Sequence, residues 1–351
     1  MALREVVANI DTHTSDVEHN TIWGPLPHKQ YTIAAQEIIT YTHHMYKTSD
    51  AIHHYNISRH SDLMGHIWYE ITIPEPLKQP NDAFDIIEYI EYTIGGQLIE
   101  SYSGQALRML AVFDKHARPS ICSNTIVFPL RLCNCYDTHL FLPLVCLACH
   151  DVKLKIKLAD HVVPVKHQLH ITYITLDTEE RRQLACVLPR LQLRITQKQS
   201  LMDRISVEGA DKPIKIPLTM KRPLRDLVVL LKPKRHCEVD PMISMHMLIG
   251  GYDDAGKPVM FKRQNPLGSV MTRHVIPRQY YDVENNDDYI YFMPFDHMPL
   301  STQSTASLNM AKLLTELVLN LHPGAYDVHI LLRFNNILNI CSGMAGLHFD
   351  C

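Results

Sequence analysis

The sequence lacks any stretch long and apolar enough to cross a membrane as a helix. Its 351 residues contain no run of about 18 apolar residues, the minimum for such a span. The start, Met1–Glu5, also lacks the apolar core of a signal peptide. We therefore expect the chain neither to span a membrane nor to enter the secretory route.

An excess of basic charge is also missing. The chain has 34 Lys and Arg residues against 37 Asp and Glu residues, which gives a formal net charge of −3. Proteins that bind nucleic acids through the phosphates carry a basic field. The charge balance therefore argues against DNA as a direct partner.

Disulfide-forming and cofactor-binding patterns are weak. Nine cysteines, an odd number without a secretion signal, favour reduced thiols. The segment Cys146–His150 has the Cys-x-x-Cys-His spacing of c-type haem attachment, and Cys133–His139 adds two cysteines and a histidine for a zinc alternative. Haem attachment requires export, and Cys146 and Cys149 fall in a strand-like pattern that points them to opposite faces. We expect free thiols, no metal and no cofactor.

Catalytic motifs are not found either. Ser342 followed by Gly343 has neither flank of the Gly-x-Ser-x-Gly elbow of hydrolases. The pairs Gly95–Gly96 and Gly250–Gly251 lack the strand–glycine–helix context and the lysine of a phosphate-binding loop. Each pair is better explained as a turn, and we expect no enzyme.

What the sequence does contain is a central element that divides it in two. Residues 171–176 are typical of a strand, and Asp177 followed by Glu180 is typical of a helix start, in which Asp177 caps free amides and Glu180 reaches back. Pro189 ends this helix. About 165 residues lie on each side, so we interpret the element as the connection between two all-β halves.

Short strands fill both halves. Ile67, Tyr69 and Ile71 alternate with polar neighbours, and a tight hairpin is predicted at Gly95–Gly96. A short helix is predicted over 107–113. Further strands are predicted at 125–132, 140–147, 152–158, 191–195, 214–218, 227–231, 259–262, 289–294 and 327–340. The apolar run 227–231 predicts a strand that is covered on both faces.

Two all-β halves with about eight short strands each fit jelly-roll sandwiches better than closed barrels. The sequence therefore predicts a flexible N-terminal arm at 1–30, a first jelly roll at 31–168, a linker strand and helix at 169–188, and a second jelly roll at 189–351.

Short motifs follow one another in one order between Arg59 and Leu347. They are Arg59–Gly65 with Ile71–Pro74, Ile90–Ile99, Phe128–Leu130, Leu142–Leu144, His150–Leu154, Tyr173–Arg182, Arg222–Leu227 and Asn335–Leu347. The series resembles that of the double jelly-roll major capsid protein of the nucleocytoplasmic large DNA viruses, the group that contains iridoviruses, ascoviruses and algal viruses. No single motif is diagnostic, but the ordered series is.

The sequence departs from that family at three points. Ser61 stands where the family usually has glycine. Met298–Thr302 and Asn309–Met310 stand where it has Gln-Pro-Ser-Gly and Asn-Phe-Ser. The chain is also shorter than most members, and we expect the shortening in the loops, where a β scaffold tolerates it.

The resemblance implies a structural shell subunit of an icosahedral double-stranded DNA virus, found in the virion and, during assembly, in the host cytoplasm. It implies pseudo-hexameric homotrimers that tile the shell, with minor capsid proteins and an internal membrane as partners. The alternatives are a minor capsid or scaffold protein of the same fold, and a β-sandwich module that binds glycans.

The same resemblance suggests which residues have structural roles. Asp177, Glu180 and Arg181 would form the linker, and the turns would use Gly95, Gly96, Gly343 and Gly346. The segment 313–321 fits a helical period as well as a strand period. On the resemblance, we predict that 317–321 is a strand.

Overall fold

The computed structural model describes residues 33–42, 52–77, 79–187, 191–201, 205–209, 213–234, 239–252, 258–263, 266–281, 288–297, 306–310 and 314–349. The predicted arm at 1–30 lies outside the described residues. In the described ranges, none of the helices has the length and apolar character needed to cross a membrane.

The first half forms a sandwich of two sheets. One sheet has the order β1-β10-β3-β7-β6, with β8 beside β3, and the facing sheet has the order β5-β4-β9-β2. Side chains of both sheets share one hydrophobic core. The strands are β1 (Ile33–Thr42), β2 (Ile52–Ile57), β3 (Leu63–Thr72), β4 (Ile87–Ile94), β5 (Gln97–Ser103), β6 (Ser120–Cys122), β7 (Thr125–Leu130), β8 (Leu142–Pro143), β9 (Val152–Leu158) and β10 (Lys166–Leu176).

The alternation predicted for β3 is confirmed. Ile67, Tyr69 and Ile71 are at most 1% exposed, whereas Trp68 and Glu70 between them are half-buried. Successive side chains of a strand point to opposite faces, so the period of two places every second residue in the core. The hairpin between β4 and β5 is confirmed as well.

The predicted short helix is also present, as α1 (Gly104–Phe113). It begins where Ser103 accepts a hydrogen bond from the amide of Ala106 at 3.3 Å, which satisfies one of the free amides of the first turn. Phe113 in its last turn lies 5.4 Å from the ring of Phe292 in the second half. The helix therefore packs between the two halves.

The second half forms another sandwich. Its sheets have the orders β18-β14-β21-β11, with β12 and β22 on β21 and β19 on β14, and β13-β20-β15-β16, with β17 on β15. The elements are α2 (Thr178–Val187), β11 (Leu191–Ser200), β12 (Ile205–Gly209), β13 (Ile214–Leu218), β14 (Pro223–Pro233), β15 (Met242–Tyr252), β16 (Pro258–Arg263), β17 (Leu267–Gly268), a π-helical turn (Met271–Val275), α3 (Ile276–Tyr280), β18 (Ile290–Pro294), β19 (Leu308–Asn309), β20 (Leu314–Leu321), β21 (Gly324–Cys341) and β22 (Met344–Leu347).

Strand β14 is covered on both faces, as its apolar run predicted. Residues 227–231 are at most 1% exposed. Leu227, Val229 and Leu231 belong to the core of the second sandwich, whereas Val228 and Leu230 belong to the core that extends from the first. The sheet that contains β14 is therefore the layer between the two halves.

Two further predictions have different outcomes. The strand at 317–321 is confirmed as part of β20. The strand predicted at 140–147 is wrong: only Leu142–Pro143 pairs, and a 3-10 turn follows at Leu144–Cys146. Pro143 has no backbone N–H to extend the ladder, and the amide of Leu147 bonds to the carbonyl of Leu144 at 3.1 Å instead.

The strand of the predicted linker belongs to a sheet. Residues 169–176 are part of β10, which pairs with β1 on one side and with β3 on the other. Their hydrogen bonds therefore hold the first sandwich together, and α2 leads on from β10 to β11.

Removing residues 335–351 should prevent folding of the second sandwich. The deleted part of β21 pairs with Leu191–Thr196 of β11, so the deletion exposes an unpaired edge that favours aggregation. Size-exclusion chromatography should show aggregates in place of the discrete species of the full chain. A soluble truncated protein with an unchanged melting temperature would contradict this.

Candidate functional site at the junction of the two sandwiches

The sheets of the two halves meet edge to edge. Strand β11 of the second half lies parallel to β5 of the first, with Gln199 opposite Ser101. This pairing joins the two sheets into one of eleven strands. We call the buried region around β5 and β11 the junction.

A buried ion pair crosses the junction. Glu100 on β5 and Lys198 on β11 are each 1% exposed, and Lys198 Nζ lies 3.6 Å from Glu100 Oε1. The Glu100 carboxylate also accepts hydrogen bonds from the amides of Cys133 at 3.0 Å and Lys198 at 3.1 Å. Lys198 Nζ donates to the carbonyl of Arg131 as well. Both charges thus have polar partners, which a buried ion needs.

Burial and attraction act on this pair in opposite directions. Burial raises the pKa of Glu100, although Lys198 and two backbone amides lower it in part. Burial alone would lower the pKa of Lys198, but the negative charge of Glu100, with Tyr136 and Cys133, raises it above its ordinary value. The pKa of Lys198 therefore favours the ammonium form, which holds the two strands by charge.

Neutral hydrogen bonds extend the contact on both sides of this pair. The Gln197 side chain donates to the carbonyl of Ile99 at 2.6 Å and accepts from the Asn336 side chain at 2.6 Å. The amide of Ser103 donates to the Ser200 hydroxyl at 3.1 Å. The bonds from Gln197 to Ile99 and from Ser103 to Ser200 run between fixed positions of β5 and β11, so they set the register of one half against the other.

Ion pairs also connect the halves near the surface. Arg108 on α1 makes two hydrogen bonds to the carboxylate of Asp288, one of them 2.8 Å from Nε. Lys232 on β14 lies 3.0 Å from Asp85. The two parallel hydrogen bonds of Arg108 to Asp288 make a favourable ion pair. The exposed pair of Lys232 with Asp85 contributes little to stability.

A second buried network lies on the face of β14 and β21 toward the first half. Arg333 Nε donates to Asp226 Oδ1 at 2.6 Å, and Arg333 also bonds to the Tyr281 hydroxyl. Burial alone would lower the pKa of Arg333, but Asp226 and Tyr281 raise it well above its ordinary value. The Tyr281 ring lies 4.9 Å from Phe113 of α1. The network therefore ends in an aromatic contact between the two halves.

Two of the glycine turns predicted from the sequence lie at hairpins, whereas the turn predicted at Gly250–Gly251 is wrong, because both residues pair with β16 within β15. Gly95 and Gly96 have φ of +59° and +83° between β4 and β5. Ser342 and Gly343 have φ of +52° and +81° between β21 and β22. Positive φ at both central positions is the geometry of a tight two-residue hairpin.

The structure brings these two hairpins together around His150. A Cβ at Gly95 would lie 2.2 Å from His150 Nδ1. The same nitrogen accepts a hydrogen bond from the amide of Ala345 at 3.1 Å, and the amide of Cys149 donates to the carbonyl of Gly343 at 2.9 Å. The hairpins are about 250 residues apart in the chain, so this contact ties the end of the second half to the first.

Gly346 does not take part in the turn, contrary to the sequence-based expectation. It lies within β22, opposite Asn339, and its φ is not positive. A Cβ there would have only an ordinary contact of 3.8 Å with the Gln97 side chain. Ser342 and Gly343 alone connect β21 to β22, because a tight hairpin needs only two turn residues.

The predicted helix start has a partly different geometry. The Asp177 carboxylate accepts from the amide of Thr178 at 2.7 Å, and its carbonyl accepts from the amide of Arg181 at 2.9 Å. Among the described residues, Glu180 has no hydrogen-bond partner, so its expected bond back to the cap is not formed. Asp177 is exposed, where water can replace that bond.

Arg181 reaches a residue that the sequence did not single out for a role. Its guanidinium donates to Asp62 Oδ2 at 2.7 and 3.2 Å, and the same oxygen accepts from the amide of Leu176 at 2.9 Å. Asp62 is 5% exposed. Asp62 therefore fixes α2 to the end of β10 and to the start of β3.

Sequence reasoning missed the buried charges. In β11, Lys198 lies in a polar stretch, and nothing local distinguishes a buried lysine from a solvated one. A signal was present at Asp226. This residue directly precedes the apolar run 227–231, and a charge in that place must either be buried or end the strand. Its partner Arg333 lies more than 100 residues away and had no such signal.

The buried cysteines of the first half are poorly suited to nucleophilic catalysis. Burial raises the pKa of Cys133, that of Cys135 to about 12 and that of Cys146 to about 11, which makes these thiols poor nucleophiles. In the described ranges, no group of three or more His, Cys, Asp or Glu side chains could hold a metal ion. What the junction can do is keep two sandwiches in one relative position.

Known proteins share this fold. No family model matches the chain. A major capsid protein of Pyramimonas orientalis virus is 25% identical over 206 residues, which cover 49% of this chain and 50% of that protein. The chain thus spans about half the length of the curated relative it matches.

Solved structures match over more of the chain. VP54 of PBCV-1 has a TM-score of 0.72 at 16% identity, with 94% of this chain and 100% of that chain covered. The Faustovirus major capsid protein has a TM-score of 0.63 at 9% identity, with 92% and 93% covered. The fold is the double jelly roll of viral major capsid proteins. The fold and the family resemblance predicted from the sequence are therefore confirmed. The matched proteins are structural proteins of capsids.

The two glycines of the β4–β5 turn should respond differently to substitution. Asparagine tolerates positive φ, and at Gly96 an added Cβ meets nothing within 4 Å. We expect Gly96→Asn to change the free energy of unfolding by less than about 0.5 kcal/mol. Gly95→Asn should lower it by about 1–3 kcal/mol, because the side chain overlaps His150. Urea unfolding of both variants checks this, and equal losses would contradict it.

Neutralising Glu100 should destabilise the double jelly roll strongly. Glu100→Gln leaves the Lys198 charge unpaired, and loss of one partner of a buried pair costs about 3–5 kcal/mol. The double variant Glu100→Gln with Lys198→Met keeps an acceptor for the two amides and should recover most of the loss.

Glu91→Gln is the matched control, because it removes the half-exposed pair with Lys155 and should cost less than about 1 kcal/mol. The measurement is the midpoint of urea unfolding. If Glu100→Gln behaves like Glu91→Gln, the junction does not depend on its buried charge.

Proposed function

We propose that the chain is a structural capsid subunit of an icosahedral double-stranded DNA virus and that its site of action is the virion shell. The main support is the double jelly-roll fold, which matches solved capsid proteins over more than nine tenths of the chain. The junction supports the same role, because its buried charges and hydrogen bonds suit a rigid building block.

The working unit in this proposal is a homotrimer with a nearly hexagonal outline. Each chain supplies two similar sandwiches side by side, so three chains around a three-fold axis place six sandwiches in a ring. Cyclic symmetry closes such an assembly. Contacts within the trimer should be large and partly apolar, whereas contacts between trimers should be smaller and more polar, so that assembly errors can be reversed.

The partners in this proposal are further copies of the chain, minor capsid proteins and an internal membrane. Residues 1–30 would contact the minor proteins or the membrane. A direct sequence-specific contact with DNA is not part of the proposal, since the chain has no excess of basic charge.

Sedimentation of the purified protein at micromolar concentration should give a species of three times the 40.4 kDa chain mass. Negative-stain micrographs should show hexagonal outlines. The protein should also dominate a stained gel of purified virions, which separates a major from a minor capsid protein. A stable monomer with no trimer would contradict the proposal.

A further inference from the structure

A small cavity opens on the outer face of the first sandwich. It has a volume of about 140 Å³. Its lining residues are His66, Ile67, Trp68, His116, Pro129, Leu130 and Arg131. The carbonyl of Arg131 belongs to the junction, where it accepts from Lys198, but the junction does not use the side chains of His66, Trp68 and His116.

The sequence places these side chains together in a simple way. His66 and Trp68 are alternate residues of β3 and point away from the core, where Ile67 is buried. Pro129 of β7 pairs with Trp68, and Arg131 follows directly after β7. His116 comes from the turn after α1, within Lys115–Ala117.

Three groups that can be cationic therefore line one cavity. Arg131 uses Nε for Asp114 at 3.1 Å and Nη1 for the carbonyl of Cys135 at 3.1 Å. Its Nη2 has no partner among the described residues. Burial lowers the pKa of His66, and the positive charges of Arg131 and His116 lower it further. Positive charges therefore repel one another around the His66 imidazole.

The neighbouring acids are already engaged. Asp114 bonds to Arg131 and accepts from the amide of His116 at 2.9 Å. Glu70, two residues along β3 on the same face, lies 2.9 Å from His170. Asp114 therefore compensates part of the Arg131 charge from outside the cavity, and no carboxylate lies among the described lining residues. The lining thus offers cationic donors to an oxyanion without an acid beside it.

Trp68 adds a second recognition element. Its half-buried indole lies 5.9 Å from the His66 ring and gives the cavity an aromatic wall. Such a wall offers apolar contact to the face of a ring. The volume is below the 300 Å³ or more of a site for a drug-sized ligand, so only one small group can enter it.

We propose that this cavity binds the oxyanion of a sulfated or phosphorylated sugar, with the sugar ring against Trp68. Arg131 Nη2, His66 and His116 would donate to the oxyanion. This inference does not rest on the capsid role, and a monomeric protein could show it equally well.

Tryptophan fluorescence offers a direct test. The chain has two tryptophans, so the variant Trp23→Phe leaves Trp68 as the sole reporter. Glucose 6-sulfate is the probe, because its sulfate does not titrate near neutral pH. We expect a saturable change with glucose 6-sulfate, weaker binding of inorganic sulfate and no change with glucose. Equal affinity for inorganic sulfate would overturn the sugar assignment, and no saturable change with either sulfate would overturn the site.

A matched pair of histidine variants tests the site residue by residue. His116 and His161 are both exposed, but only His116 lines the cavity. In the same background, His116→Gln should weaken binding of glucose 6-sulfate about tenfold, the size expected for one charged hydrogen bond, whereas His161→Gln should leave it unchanged. Equal effects of the two variants would overturn the proposal.

The pH dependence gives an independent readout. An oxyanion favours the protonated imidazole, so binding should tighten as the pH falls through the lowered pKa of His66. His66→Gln should remove the part of this dependence that His66 contributes, with His116 still present, while the melting temperature stays near that of the parent. A pH profile that is the same with and without His66 would contradict its role.

Discussion

The burial of one sheet on both faces is the constraint on which the rest of this structure depends. The sheet β18-β14-β21-β11 packs on its partner sheet through Leu227, Val229 and Leu231, and on the first sandwich through Val228 and Leu230. Each fully buried side chain of this kind contributes about 1.5–3 kcal/mol. The apolar contacts therefore contribute to holding the halves together, and the buried polar groups have a separate role.

Apolar contact alone does not fix a position along the sheet. Aliphatic side chains tolerate small shifts against one another with little loss, because their attraction has no direction. The pair Glu100–Lys198 and the pair Asp226–Arg333 do not tolerate such shifts, since a displaced partner leaves a buried charge unpaired. Buried ion pairs add little net stability compared with apolar substitutes. We infer that they select one register out of several that the apolar layer would allow.

How far the sequence predicted the structure depends on how local each feature is. The alternation of β3, the Gly95–Gly96 hairpin and the capped helix α1 follow from neighbouring residues, and these predictions are confirmed. The pairing of β5 with β11 connects positions about 100 residues apart, and no pattern in either strand predicts it. The series of family motifs predicted the fold, because the order of the motifs along the whole chain identifies an architecture that local rules cannot.

The errors have equally local causes. The strand expected at 140–147 is interrupted by Pro143, and the role expected of Gly346 went to Ser342, which adopts positive φ although it is not glycine. The linker helix begins after Asp177 as expected, but Glu180 does not bond back to the cap, and the helix is anchored by the bond from Arg181 to Asp62. Sequence rules found many of the elements but not β15 or the helical segment at 271–280, and the partner of each charged side chain depended on the fold.

In the proposed role, contacts inside a shell subunit must be stronger than contacts between subunits, and the junction would supply the strong internal contacts. Contacts between subunits have to break while errors are corrected, so they cannot also keep the two sandwiches aligned. Alignment must come from inside the chain, where opening would expose both an apolar layer and two buried ion pairs. The hairpins at His150 add a tie at the end of the sheet, where strands would otherwise fray. In the proposed shell, bending the chain would then cost more than losing one neighbour, and a faulty contact would dissociate before the subunit deformed to fit it.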